Sequence, residues 1–342
     1  MPQPLAAATY AGPPEWTLGR VFTSWQFEPA VVAVAVLAAA AYLYGVARAR
    51  RRGAGAWAPG KTAAFLGGLA LWVFTTCSGL GVYERVLFTD RAVQAVTLLM
   101  IVPLLLAMGG PVGLLVAACG PGSRGERWIT GALRSPVSQF LMFPLVSTVV
   151  LMLPPWLFYF TGWYAAALRG GAADTLFHLG FVLLGMVYFW PRLQIDPVAK
   201  HYHPLFSILV TVGEVIADAA LGFVMVFGSH HFAHLYRPWG MDPVDDVKWG
   251  GATLWGLGDI AGLPFLAALI VRVVREERTR TAEVDRQLDE AEAAEAAETA
   301  RAAAAAVALG EPEPEPPAQQ GLARPWWETD PRFAHRYGRP SS

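Results

Sequence analysis

The residues best suited to chemistry in this sequence are carboxylates and imidazoles set in or beside strongly apolar stretches. Glu214 and Asp218 stand four positions apart within residues 204–228, so a helix there carries both on one face. His230, His231 and His234 follow at once in the run SHHFAH. His230 and His234 share a face if that helix continues one turn, and two imidazoles so spaced can grip Zn(II) or Cu(II). Asp245 or Asp246 would supply a third ligand, and Met241 would suit reduced copper. His178 follows Asp174 by four, which makes it either a further imidazole donor or one half of a structural pair. Asp259 lies alone in another apolar run. The plainer readings are polar packing for Glu214 and Asp218, and a wettable interfacial loop for the histidines. Met100, Met108, Met142 and Met152 read as packing rather than as a thioether ladder. The sequence has no phosphate loop, nucleophile elbow or zinc-protease signature, and no enzyme is expected from it.

What must position these residues is a set of membrane helices. Hydrophobic residues make up 54% of the chain, charged ones 15%, and the mean hydropathy is +0.38, too apolar for a soluble domain. A net charge of −1 gives no reason to expect nucleic acid. Two cysteines in apolar stretches, Cys77 and Cys119, offer no disulfide framework. The first residues lack a basic segment followed by an apolar core, so no cleaved signal is expected.

The expected fold class is all-α: a polytopic membrane protein of seven transmembrane helices, at 29–47, 62–82, 92–118, 136–160, 174–190, 204–227 and 251–273. Pro103, Pro144 and Pro264 fall inside spans, where neighbouring groups can satisfy the freed backbone. The Lys- and Arg-rich connections follow the first, third, fifth and seventh spans, which puts the N-terminus outside and the C-terminus in the cytoplasm. The chain then divides into an outer segment 1–28, a membrane domain 29–275, an Ala/Glu-rich cytoplasmic helix 276–310 and a Pro-rich tail 311–342. That tail is either disordered or a docking peptide for a cytoplasmic partner. In this orientation His178, Asp218, Asp259 and Cys77 all lie in the outer half of the bilayer. An Asp at mid-helix costs about 2.5–3.5 kcal/mol in lipid, so such groups should face protein or water and mark a functional site.

Several stretches, taken in order, carry a resemblance: WQFEP, AYLYG, FTDRAVQAVTLLMIVPLLLAMGGPVGLL, FHLGFVLLGMVYFWPRLQIDP and YRPWGMDPVDDVKWGGATLW. Together they resemble the multi-span CtaG-like family, membrane factors associated with assembly of bacterial cytochrome c oxidase, over roughly residues 25–280. The resemblance implies a multi-pass protein of the bacterial plasma membrane with oxidase subunits and the lipid bilayer as partners. It implies a respiratory-chain chaperone, with copper as the metal handled at the outer half of the membrane. Members of that family typically open the third span with two histidines four apart, where this chain has Arg91 and Ala95 around Gln94. His178 and Asp246 match family positions, while His230 and His234 would be replacement ligands. The departure fits equally a factor that scaffolds assembly without touching metal. From a different class comes a proton- or cation-coupled transporter with Glu214, Asp218 and Asp259 as the relay. A membrane cytochrome ranks behind both, because His178 is the one histidine well inside a span.

Overall fold

The computed structural model describes residues 10–53, 57–193, 204–228 and 237–309, and these are helical with no strand among them. After a short α1 (Leu18–Thr23) come α2 (Pro29–Arg51), α3 (Pro59–Cys77) and α4 (Gly79–Tyr83). Next are α5 (Phe88–Val96), a π-helical turn (Thr97–Ile101), α6 (Val102–Met108) and α7 (Pro111–Cys119). The short α8 (Arg124–Leu133) and α9 (Pro136–Leu141) lead to α10 (Pro144–Phe160) and α11 (Gly162–Leu168). The chain continues through α12 (Ala172–Leu193), α13 (Pro204–Phe227) and α14 (Pro243–Leu309). Two compact units divide it, Met1–Val273 and Val274–Ser342.

Four helical stretches are long and apolar enough to cross a membrane: Pro29–Arg51, Pro59–Tyr83, Phe88–Cys119 and Ala172–Leu193. A fifth counts if Leu145–Phe160 and Gly162–Leu168, bent by 70° at their junction, form one broken span. The expected first, second, third and fifth spans are therefore present as such helices, each extended by a few residues. The fourth, expected over 136–160, is interrupted at Met142 and Phe143 between α9 and α10, and beyond its end the Thr161 hydroxyl accepts from the Trp163 amide 3.2 Å away and starts α11. Residues expected as the sixth and seventh spans lie within α13 and α14.

The third span shows how the bundle tolerates proline. Pro103 has no N–H to give the Leu99 carbonyl, four residues back, and the helix widens into a π turn just before it. Helix α12 closes over this break through Gly185, where an added Cβ would collide with the Leu99 carbonyl and the Pro103 ring. Further along, Gly110 takes a left-handed φ of 61° that redirects the chain into α7, with Pro111 in its first turn. The Gly109 carbonyl freed at that corner accepts from the Tyr42 hydroxyl at 2.8 Å, which ties α2 to it. At the same end of α2, Arg48 donates to the Ala118 carbonyl at 3.0 Å.

Aromatic rings fill the space between α10, α11 and α12. Phe158 packs on Phe177 with centroids 4.5 Å apart, and Phe177 on Phe181 at 4.4 Å. This dry wall backs the polar residues described next. The unit Val274–Ser342 is an exposed helix as far as residue 309, with surface ion pairs from Arg286 to Glu283 and Glu290. Such pairs are worth a few tenths of a kcal/mol each.

Candidate functional site

Four elements bring charge to one buried point. Glu28 precedes the first residue of α2, and Glu84 and Arg85 follow α4. Arg91 and Gln94 come from successive turns of α5, while Asp174 and His178 occupy the first two turns of α12. The side chains of Glu84, Arg91 and His178 are wholly buried.

Arg91 is the centre of this arrangement. Its Nη1 lies 2.9 Å from Asp174 Oδ1 and 3.5 Å from Glu84 Oε2. The guanidinium also stands 4.7 Å from the Phe177 ring centroid, so the aromatic wall meets the cation face-on. Arg85 reaches Asp174 Oδ2 from the more exposed side at 3.3 Å. His178 Nε2 is 3.0 Å from Glu84 Oε2 and 4.0 Å from Asp174 Oδ1. The backbone around these groups is tied as well: Trp72 donates its indole N–H to the His178 carbonyl at 3.2 Å, and Gln94 its amide to the Thr75 carbonyl at 3.0 Å.

Electrostatics follow from the pairing. Burial opposes ionisation of Glu84, but the Arg91 guanidinium and His178 outweigh it and hold the carboxyl well below the usual range. An ionised Glu84 accepts hydrogen bonds and donates none, so the proton on the His178 ring belongs on Nε2. The other ring nitrogen, Nδ1, is buried with no hydrogen-bond partner. Glu84 Oε1, Arg91 Nε and Nη2, and Gln94 Oε1 are likewise buried and unpartnered. For Glu28, burial pushes the carboxyl up, with the nearby Asp174 and Glu84 adding to this against His178. Glu28, Asp174 and His178 each offer a ligand atom, and the three atoms lie within 4.8 Å of one another.

A second buried cluster lies at the start of α5. Asp246, from the first turn of α14, is 2% exposed. Its Oδ2 accepts from the Phe88 amide at 2.8 Å, and its Oδ1 from the Thr89 amide at 3.1 Å and hydroxyl at 2.7 Å. Asp246 thus caps the free N–H groups that α5 leaves at its own start. Arg237 pairs with it at 3.3 Å and donates to the carbonyls of Val86, Trp239 and Met241.

The structure sorts the residues singled out from the sequence. His178 and Asp174 belong to the central cluster. Asp246 belongs to the helix cap and is not in the group with His178. Asp245 is exposed and pairs with Lys248 at 3.0 Å. Asp259 is half-buried on the wall of an apolar cavity of about 340 Å³ with Met100, Tyr188 and Phe265. Cys77 is buried and free. His230, His231 and His234 lie outside the described residues, as do the side chains of Glu214 and Asp218 and the Pro-rich tail.

Sequence reasoning missed Glu84 altogether and took Glu28 only as part of WQFEP. Arg91 figured as one of the two positions where the family's histidines are replaced. The available signal was an arginine within an apolar run, a group so costly there that it must have buried acids for company. Ala95, the other departing position, simply packs in the apolar core.

Comparison with known proteins gives this arrangement a family. Residues 40–276 match the model of the cytochrome c oxidase caa3 assembly factor family, well over half of the chain, which therefore belongs to it. An uncharacterized protein of Mycobacterium bovis is 30% identical over 293 residues, covering 82% of this chain and 44% of its own length. An uncharacterized protein of Mycobacterium tuberculosis matches to the same extent. One of Mycobacterium leprae is 28% identical over 280 residues, 79% of this chain and 42% of its own. The chain thus spans less than half the length of these relatives. No solved structure matches it significantly.

Proposed function

We propose that this member of the caa3 assembly factor family is a non-catalytic membrane factor in the assembly of a bacterial haem–copper cytochrome c oxidase, resident in the plasma membrane. The family match over residues 40–276 carries the reading. The seven-span arrangement with the N-terminus outside belongs to the same proposal. Its support is the polarity of the bundle. Arg48, Arg50 and Arg51 crowd the last turn of α2, while Glu28 marks the start of that helix and faces Asp174 and His178 at the start of α12. If the arginine-rich end is cytoplasmic, as basic connections favour, the buried cluster lies at the outer end. There it would meet an oxidase subunit on the side where the enzyme's own outer domains mature.

A clean deletion strain tests this. The expected result is loss of assembled oxidase, read as haem a absorbance in membranes and as oxygen consumption on reduced cytochrome c, with recovery on complementation by the full chain. Unchanged oxidase spectra and activity in the deletion strain would remove the proposal.

A further inference from the structure

Glu28, Glu84 and Asp174 bring three carboxylates to the Arg85 and Arg91 guanidinium groups and the His178 ring. The donor atoms are placed for a cation. Glu28, Asp174 and His178 offer ligand atoms within 4.8 Å of one another. Around a Zn(II) ion with ligands at about 2.0–2.2 Å, those distances need only a modest contraction. Glu28 can supply it: it is half-buried, stands just outside α2, and its carboxylate makes no ion pair or hydrogen bond among the described residues.

The imidazole is set up in the manner of a metal ligand. Metal-binding histidines usually donate their second ring N–H to a carboxylate, which fixes the tautomer and raises the basicity of the ligating nitrogen. Here Glu84 takes the Nε2 side of His178 at 3.0 Å, and Nδ1 is left buried without a partner. A buried imidazole nitrogen without a protein partner is an unmet cost unless something binds it.

We infer that Glu28, Asp174 and His178 form a binding site for a divalent cation of borderline softness, such as Zn(II) or Cu(II), with the Glu84 carboxylate beside the ring. The donor set decides the class of ion. One imidazole and two carboxylates suit Zn(II) and Cu(II), whereas Cu(I) selects thiolate and thioether donors, and the group contains none. Asp246 stands apart in the cap of α5, and His230 and His234 lie outside the described residues. Arg85 and Arg91 share the Asp174 carboxylate, so the ion competes with their charge and affinity is set by how much of Asp174 they hold. The inference stands on this geometry alone. Normal oxidase in a deletion strain would leave it intact, and a metal-free protein would leave the assembly role intact.

The experiment is metal binding by the purified full chain in detergent micelles, stripped with chelator and equilibrated with Zn(II) and separately with Cu(II). One tightly held ion per chain is expected. Glu28→Gln should weaken binding at least tenfold while leaving the thermal unfolding of the metal-free protein unchanged, since that side chain holds nothing else. Arg85→Gln should tighten binding by removing a competing cation from Asp174. Asp245→Asn, at the exposed pair with Lys248, should bind as the parent does. No stoichiometric ion in the parent chain, or binding that Glu28→Gln leaves unaltered, overturns the inference.

Discussion

Asp174 and Asp246 are both buried acids, each paired with an arginine, and each stands in the first turn of a long helix. Their surroundings differ in one respect. At Asp246 both oxygens accept from the start of α5, and all three side-chain nitrogens of Arg237 reach carbonyl oxygens, while Asp90 Oδ2 and Trp239 Nε1 beside them are buried without partners. Around Asp174, by contrast, His178 Nδ1, Glu84 Oε1 and two nitrogens of Arg91 are buried without partners. The first cluster is a clamp, closing α14 onto α5. The second is a site, holding polar capacity that the fold itself does not use. The imidazole and carboxylate donors gathered at Asp174, and what Asp246 itself is bonded to, separate the two.

The largest effect that tests this difference should come from Arg91→Ala. Removing the cation takes one of the two arginines from Asp174 and the guanidinium from Glu84, and breaking a buried pair in this way costs about 3–5 kcal/mol. Chemical or thermal unfolding in detergent should show it, and a neutral result would mean the cluster is hydrated rather than dry.

A pH series comes next. Because the folded state holds Glu84 ionised below its ordinary value of 4.5, its contribution is fully present above that value. As pH falls through 4.5 toward the lowered folded value, that contribution is lost. Glu84→Gln should therefore be less stable near neutrality and should lose less stability on acidification than the parent. Parallel curves for the two proteins would show that Glu84 is not the group that senses acid.

The last test belongs to the clamp. Asp246→Ala removes a helix cap and leaves the buried Arg237 guanidinium without its carboxylate, so about 3 kcal/mol is expected, the lower end for a broken buried pair because Arg237 keeps three carbonyls. Metal binding should survive it, and a loss of binding in that variant would erase the distinction between clamp and site.

Much was legible along the chain. Asp174 and His178 stand at i,i+4 whatever surrounds them, and the helices that begin near residues 29, 59, 88 and 172 follow from runs of apolar residues. Asp246 looked like a ligand because acid, histidine and methionine crowd the same loop. Its real partners are Phe88 and Thr89, about 157 positions away, and no local pattern points to them. Ala95 and Arg91 looked alike as departures from a family pattern, but one is apolar packing and the other is the hub of an ion-pair network.

By itself the sequence determined the all-helical class, the apolar runs long enough to span, and the family. Those depend on length and hydropathy, which accumulate residue by residue and need no partner. Only the tertiary structure decided which buried charges meet. Arg91 finds Asp174 across 83 residues and His178 finds Glu84 across 94. Such pairings depend on how each helix is rotated and how deep it sits against its neighbours. Those are set by contacts such as Gly185 against the Leu99 carbonyl, where the absence of a side chain lets α12 approach the third span.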